Sequence, residues 1–225
     1  MDLASTKMHK SWMQSLWDWA DENNLSNLEW IEHDSYKDAG YFRGFPRDEA
    51  NLLKLETLNL LGSQLNSLPS EIGKLTHLKK LHLLDNQLTA LPIQIANLIY
   101  LEELYIPANR LQSLPKEIGK LINLKVLLLQ ENQLTSLPKE IGELTNLITL
   151  ELGGNKLTQL PKTIGKLKNL KKLTLWKNKL TELPQEMKSL VNLEAFDCFY
   201  NKIALNKKNI EWLEYLMTHH CDVNI

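Results

Sequence analysis

The sequence predicts an α/β fold: a right-handed solenoid with a curved parallel sheet, irregular or 3₁₀ returns on its convex side, and helical caps at both ends. The main observation is a block of 23 residues that recurs in phase through most of the 225-residue chain. Self-similarity at a fixed short period is typical of stacked repeat architectures. Seven copies begin at Leu55, Leu78, Leu101, Leu124, Leu147, Leu170 and Leu193.

Each copy contains a Leu-x-Leu segment, such as Leu127-Leu128-Leu129, whose alternation predicts a short strand with two side chains inward and one outward. One such unit cannot bury its apolar face alone, whereas stacked copies can do so in a parallel sheet. The Leu-Pro pair that follows predicts an extended or 3₁₀-like return, because proline fixes φ and lacks an N–H.

An asparagine follows each strand from the second copy onward, where the chain turns out of the sheet. Its amide offers donors and an acceptor to backbone groups that the turn leaves unpaired. Ser63 takes this place in the first copy, and its shorter side chain predicts a looser turn there. The asparagines are Asn86, Asn109, Asn132, Asn155, Asn178 and Asn201.

This pattern resembles the leucine-rich repeat family, in the bacterial 23-residue type that ends in Leu-Pro-x-x-Ile-x-x-Leu. The resemblance covers Leu55 to about Leu205. It implies the solenoid fold and, since members are mostly binding modules, a ligand on the concave sheet face.

Residues 1–54 are expected to form an N-terminal helical cap with a degenerate capping repeat. Residues 1–24 predict a helix that Ser5 or Thr6 caps, with an apolar stripe of Met8, Trp12, Leu16 and Trp19. The segment Phe42–Pro46 stands one period before a Leu-Pro return, and Leu52 one period before Leu75, while a strand near His33 to Lys37 fits poorly. Four tryptophans, Trp12, Trp17, Trp19 and Trp30, either seal the open end of the solenoid or form a partner site.

Residues 55–205 hold the seven repeats, and residues 206–225 are expected to form a C-terminal capping helix and a tail. The helix at 206–219 would be capped by Asn206 and would cover Phe196 and Cys198. The run from His219 to Asp222 is interpreted as a polar tail, because adjacent helix residues do not share a face. The predicted apolar stripe of this helix is Ile210, Leu213, Leu216 and Met217.

Composition indicates neither a membrane nor a nucleic-acid partner, since the formal net charge is -1 and no apolar run approaches the length of a transmembrane helix. Two cysteines exclude a disulfide-dense secreted scaffold. No secretory start is visible, which favours a cytoplasmic location, with export to a host cell as the alternative. No phosphate loop, Cys-x-x-Cys pair or Gly-x-Ser-x-Gly elbow occurs, so no catalysis, cofactor or metal is expected.

Outward strand positions are the predicted partner site, because the core does not need their side chains and several are aromatic or leucine. The alternative is that strand propensity favours these residues and scattered exposed apolar residues are ordinary. Lys80, Glu103 and Asp197 are expected to add register and specificity. The predicted contact residues are Leu61, His82, Leu84, Tyr105, Leu128, Gln130, Glu151, Lys172, Trp176, Phe199 and Tyr200.

Eight lysines and no acid fall within residues 152–181, whereas residues 1–50 are acidic. The lysines could form a basic patch for an acidic partner or phosphate. A solvated basic flank is the favoured interpretation, because several fall on outer returns and point different ways. A monomer is expected, with head-to-tail self-association as the alternative.

The sequence therefore favours a non-catalytic module that binds a protein or peptide, of unknown identity, on the concave face. The competing hypothesis is a bacterial effector or regulatory protein that acts on host signalling machinery.

Overall fold

The computed structural model describes residues 3–25, 27, 29–31 and 41–225. Within them the main sheet has eight parallel strands in chain order, and a separate hairpin pairs β1 (Glu29–Ile31) with β2 (Tyr41–Arg43). The predicted parallel-stranded solenoid is confirmed. The strands of the main sheet are β3 (Thr57–Asn59), β4 (Lys80–His82), β5 (Glu103–Tyr105), β6 (Val126–Leu128), β7 (Thr149–Glu151), β8 (Lys172–Thr174), β9 (Ala195–Asp197) and β10 (Asp222–Asn224).

The sheet is in register with the sequence period, so residues one repeat apart lie side by side. Leu104 pairs with Leu127, and Leu127 pairs with Leu150, and all three side chains are fully buried. The inward leucines therefore stack into one continuous core that no single repeat could form.

Each return after Leu-Pro is a 3₁₀ helix that begins directly after the proline, as predicted. Pro115 and Pro138 both have φ of -65°, which suits an extended residue before the helix. Successive returns pack so closely that a Cβ on Gly142 would lie 2.4 Å from the Thr163 carbonyl oxygen. The 3₁₀ helices are Ser70–Lys74, Ile93–Asn97, Lys116–Lys120, Lys139–Glu143, Lys162–Lys166 and Gln185–Ser189.

The repeated asparagines join neighbouring coils, as the unpaired turn groups predict. Asn132 Oδ1 accepts a hydrogen bond from Leu111 N at 3.0 Å, in the preceding repeat. Its Nδ2 donates to Ile106 O at 2.8 Å and to Leu129 O at 3.1 Å. Equivalent bonds recur from Asn86 to Asn201, so one side chain per repeat satisfies buried backbone groups in two coils.

A second row of residues, one per repeat, has left-handed backbone geometry at the turn after the strand. Only Gly62 and Gly154 are glycines there, and Ala108 and Tyr200 hold φ of 51° and 54°. Left-handed φ is unfavourable for residues with a Cβ, which favours glycine at Gly154, where a Cβ would also meet the Glu131 carboxylate at 2.6 Å. The row is Gly62, Asp85, Ala108, Glu131, Gly154, Lys177 and Tyr200.

The N-terminal end of the core is closed by α1 (Leu3–Glu22), which packs against the first 3₁₀ return. The predicted cap residues Ser5 and Thr6 are wrong, because both lie inside the helix. Among its described side chains, Met13, Leu16, Trp19 and Ala20 are buried, so the predicted Leu16 and Trp19 lie in the core, while Trp12 and Trp17 are partly buried against it. The structure does not describe the side chains of Met8 and Trp30. The predicted strand near His33 to Lys37 also lies outside the described residues.

The degenerate repeat is present in part. Phe45 is fully buried and meets Trp19 edge-to-face at 6.0 Å, and Leu52 is also fully buried, both at the predicted core positions. A short α2 helix (Glu49–Leu53) replaces the 3₁₀ return, with Asp48 as its cap. Arg47 fastens this segment to α1 through the carbonyl of Trp17 and the carboxylate of Asp21.

The C-terminal end differs from the prediction in two ways. Helix α3 (Lys207–Thr218) begins after Asn206, which accepts a hydrogen bond from Asn209 N as predicted, but Ile210 and Met217 are exposed. Its buried side chains are Asn209, Trp212, Leu213 and Leu216, because the stripe follows a different phase of the helix. The supposed tail forms strand β10 parallel to β9, and Cys221 is buried rather than part of a polar tail.

None of the helices in the described ranges combines the length and the apolar character needed to span a membrane.

Candidate functional site

The outward side chains of β3 to β9, together with the outward residue two positions after each strand, form a surface that we call the strand face. Most of its side chains are half-buried against one another. Strand register sets these contacts, since each outward side chain lies beside the ones a repeat before and after it. The strand face is therefore an assembly of side chains from different repeats.

The first cluster on this face joins β4 and β5. The rings of His82 and Tyr105 lie 4.3 Å apart, and the Tyr105 hydroxyl donates to Glu103 Oε2 at 2.7 Å. Lys80 Nζ contacts the other oxygen, Glu103 Oε1, at 2.8 Å. Both oxygens of this carboxylate are thus engaged by side chains of the strand face.

Burial and these contacts set the charge states of the cluster. Burial lowers the pKa of His82, so its imidazole is neutral at pH 7, although Glu103 opposes this shift. Burial alone would raise the pKa of Glu103, but the hydrogen bonds from Lys80 and Tyr105 hold it below its ordinary value. Burial and the bond to Glu103 raise the pKa of Tyr105, which keeps its hydroxyl protonated as a donor.

The second cluster joins β6, β7 and β8. Lys172 Nζ contacts Glu151 Oε1 at 2.6 Å, and Gln130 Nε2 donates to Glu151 Oε2. As in the first cluster, both oxygens of one carboxylate are engaged. Two of the buried polar atoms in the described residues that have no protein partner lie here, Gln130 Oε1 and Thr174 Oγ1.

Apolar groups lie between and beyond the two clusters. Leu128 is half-buried beside Tyr105, its register partner. The Trp176 indole packs directly against Gly153, where a Cβ would come within 2.1 Å of the ring. The absence of a side chain at Gly153 therefore makes room for the indole, which is the packing reason for this glycine.

The remaining predicted residues are more dispersed. Leu61 is half-buried and Leu84 exposed, each after its strand. Phe199 and Tyr200 have ring centres 4.2 Å apart beside an apolar cavity of about 480 Å³. Tyr200 is 72% exposed in the left-handed row, so it lies at the turn beyond the strand rather than within the sheet.

The ring pair and the two engaged carboxylates go beyond the sequence prediction, which treats the outward residues one by one. The sequence could have indicated which strand residues are neighbours, because residues 23 positions apart lie side by side in the sheet. His82 with Tyr105 and Lys80 with Glu103 are such pairs. Asp197 instead accepts a hydrogen bond from the Phe199 N–H at 3.0 Å.

The lysine-rich segment is partly neutralised by acids from neighbouring repeats, as a solvated flank predicts. Lys166 contacts Glu143 at 2.8 Å, and Lys171 contacts Glu194 at 2.7 Å. The cysteines are not poised for chemistry, since burial together with Asp197 raises the pKa of Cys198 to about 12.

A family model and several solved structures that match this chain indicate the same family. Residues 112–218 match the model of the leucine-rich repeat region. Among solved structures, a leucine-rich repeat protein of Leptospira interrogans is 38% identical with a TM-score of 0.59, over 77% of this chain and 50% of that one. An internalin of Listeria monocytogenes is 26% identical with a TM-score of 0.66, over 78% of this chain and 48% of that one.

The Arabidopsis receptor kinase HAESA, solved in complex with a peptide hormone and a co-receptor, is 30% identical with a TM-score of 0.55. That match covers 61% of this chain and 24% of the receptor. The chain thus spans half or less of the length of these structures, and no curated protein matches it significantly.

Proteins with this architecture are commonly protein-binding modules and generally non-enzymatic scaffolds. The same family is indicated by the phased 23-residue repeat, by the repeated asparagines and by the matched solved structures. The chain belongs to the leucine-rich repeat family, with repeats of the bacterial 23-residue Leu-Pro-x-x-Ile-x-x-Leu type.

Proposed function

We propose that the chain is a non-catalytic module that binds a protein or peptide on its strand face. The observation that carries this proposal is that the outward side chains hold one another in place. Glu103 and Glu151 each have both oxygens engaged, and Trp176 is seated on Gly153.

Such contacts favour binding because the side chains lose little rotamer freedom when a ligand arrives. Trp176 and Tyr105 supply large contact area, and aromatic residues dominate the energetics of interfaces. The receptor kinase structure with its peptide hormone supports a peptide as one class of ligand, by analogy of fold.

A selection experiment tests the proposal. Immobilised protein is panned against random dodecapeptides displayed on phage, and the affinities of the selected peptides are measured by fluorescence anisotropy. The strand-face variant, Leu128→Ala with Trp176→Ala, is expected to weaken binding by at least about tenfold, or ~1.4 kcal/mol.

The matched control is a flank variant, Ile122→Ala with Tyr100→Ala, whose native side chains are exposed and lie outside the strand face. It is expected to bind as wild type does. Equal loss in both variants, or loss only in the flank variant, would overturn the proposal, provided both variants retain the circular dichroism of the wild type.

A further inference from the structure

The charged groups of the strand face are not equally accessible. The side chains of Glu103 and Glu151 are only 22% and 16% exposed, whereas those of Lys80 and Lys172 are 47% and 46% exposed. Both carboxylates already accept from two side chains each. A ligand that approaches this face therefore meets the ammonium groups before it meets the carboxylates.

Each ammonium also keeps unused donors. A lysine ammonium carries three N–H donors and no acceptor. Nζ of Lys80 contacts Glu103, and Nζ of Lys172 contacts Glu151, in each case through one oxygen. Donors on both lysines remain for acceptor groups of a ligand, and carboxylates make the strongest such bonds.

The two lysines occupy the same column of the sheet, four strands apart, through the register Lys80, Glu103, Val126, Thr149 and Lys172. At ~4.8 Å per strand their backbones are about 19 Å apart, which an extended peptide spans with about six residues at ~3.3 Å each. The middle of that path is apolar, since Val126 and Leu128 lie on the strand halfway between the lysines.

We propose that the ligand is an extended acidic peptide segment with two carboxylates separated by about six residues and an apolar side chain between them. This inference rests on the proposed function of the strand face. One carboxylate pairs with Lys80, the other pairs with Lys172, and the apolar side chain packs on Val126 and Leu128.

The charges of the strand face also restrict which peptides can bind and how far they extend. Asp197 lies on the strand after Lys172 and repels a further ligand acid there. A basic ligand is disfavoured, because its cations would face Lys80 and Lys172 while the neighbouring carboxylates are recessed and engaged. Pairing of this kind is expected to weaken as salt is added.

The chain supplies a matched pair of variants. The controls are Lys79 and Lys171, which directly precede Lys80 and Lys172 and are the same four repeats apart. Lys79 forms an ion pair with Glu56, and Lys171 forms one with Glu194, outside the strand face. Lys80→Met with Lys172→Met removes the two ammonium groups of the strand face and keeps apolar side chains of similar length. Lys79→Met with Lys171→Met removes the same number of ammonium charges at the same spacing, but outside the strand face, where the partner carboxylates are exposed.

The probes are the dodecapeptides selected on the wild-type protein. We expect them to carry two acidic residues about six positions apart with an apolar residue between, and Asp→Asn or Glu→Gln changes to weaken them. The strand-face lysine variant should lose about tenfold in affinity, and the flank lysine variant should stay within about twofold.

Selected peptides that are basic or neutral would overturn the inference, as would equal weakening by the two lysine variants. If such peptides still lose binding to the Leu128→Ala, Trp176→Ala variant, the proposed function stands and only the acidic ligand is wrong. If they bind that variant as they bind the wild type, both proposals fail.

Discussion

Each repeat carries two sets of side chains with opposite behaviour. The inward set, leucines and one asparagine, is nearly the same in every repeat and is almost completely buried. The outward set changes from strand to strand, from His82 to Tyr105 to Leu128, and remains half-exposed. Identical surroundings in each coil impose identical residues inside, whereas the strand face has no such requirement and is free to serve recognition.

The largest expected effect belongs to the inward set. Asn132→Ala leaves the buried Leu111 N–H without its acceptor and the Ile106 carbonyl with only the 3.3 Å bond from Asn109 Nδ2, at a cost of about 3 kcal/mol in the free energy of unfolding. Asn146→Ala is the control, because its Nδ2 also bonds a carbonyl of the preceding repeat, that of Ile122, but at an exposed site. It should cost under about 1 kcal/mol in urea unfolding, and equal costs for the two variants would contradict the role of burial.

A second effect concerns the packing of successive returns. Gly142→Ala would bring the new Cβ 2.7 Å from Thr163 Cβ as well as close to its carbonyl, so we expect a loss of about 2 kcal/mol. Ala96 stands at the equivalent position of another repeat and is buried there. Ala96→Gly should therefore change the unfolding free energy by no more than about 1 kcal/mol. Wild-type stability in Gly142→Ala would show that the coils separate easily.

The left-handed row gives a smaller effect. Gly62→Ala places a Cβ in open space, with Asp85 Oδ2 at 4.0 Å, so its cost of about 1 kcal/mol comes from backbone strain alone. Ala108→Gly relieves the same strain and should raise the melting temperature by about 1–2 °C. Calorimetry of both variants checks the sign, and a stabilised Gly62→Ala would refute the account of this row.

The smallest expected effect is the pH dependence of the strand face. The pKa of His82 is lowered by burial, so the unfolded chain binds a proton at this site more readily than the folded one. Stability from this group is therefore present above the ordinary histidine pKa of about 6.5 and is lost as pH falls through that value toward the folded pKa. Urea midpoints of His82→Gln should fall less between neutral and mildly acidic pH than those of the wild type, and parallel curves would speak against this burial.

The fold could be predicted from the sequence because the period fixes the register. Strand β10 escaped prediction, since Asp222 pairs with Ala195 and not with the residue one 23-residue period earlier. The longer α3 helix replaces the short return and shifts the phase. The prediction that Ile210 is buried is wrong, because the apolar residues of α3 fit more than one stripe along the helix.

The strand face could be predicted only as a set of positions. Which side chains engage one another depends on rotamers that periodicity does not encode, such as the approach of Tyr105 to Glu103 or of Trp176 to Gly153. The proposed acidic ligand is inferred from those contacts rather than from the residue types alone.

Methyl NMR locates a bound peptide on the surface of the protein. Protein with labelled valine, leucine and isoleucine methyls is titrated with the tightest peptide from the phage selection. Binding on the strand face should shift the methyl signals of Val126 and Leu128, while those of Ile122, Ile148 and Val191, which lie outside the strand face, stay unchanged. Shifts confined to the flank, with Leu128 unaffected at saturation, would contradict binding on the strand face.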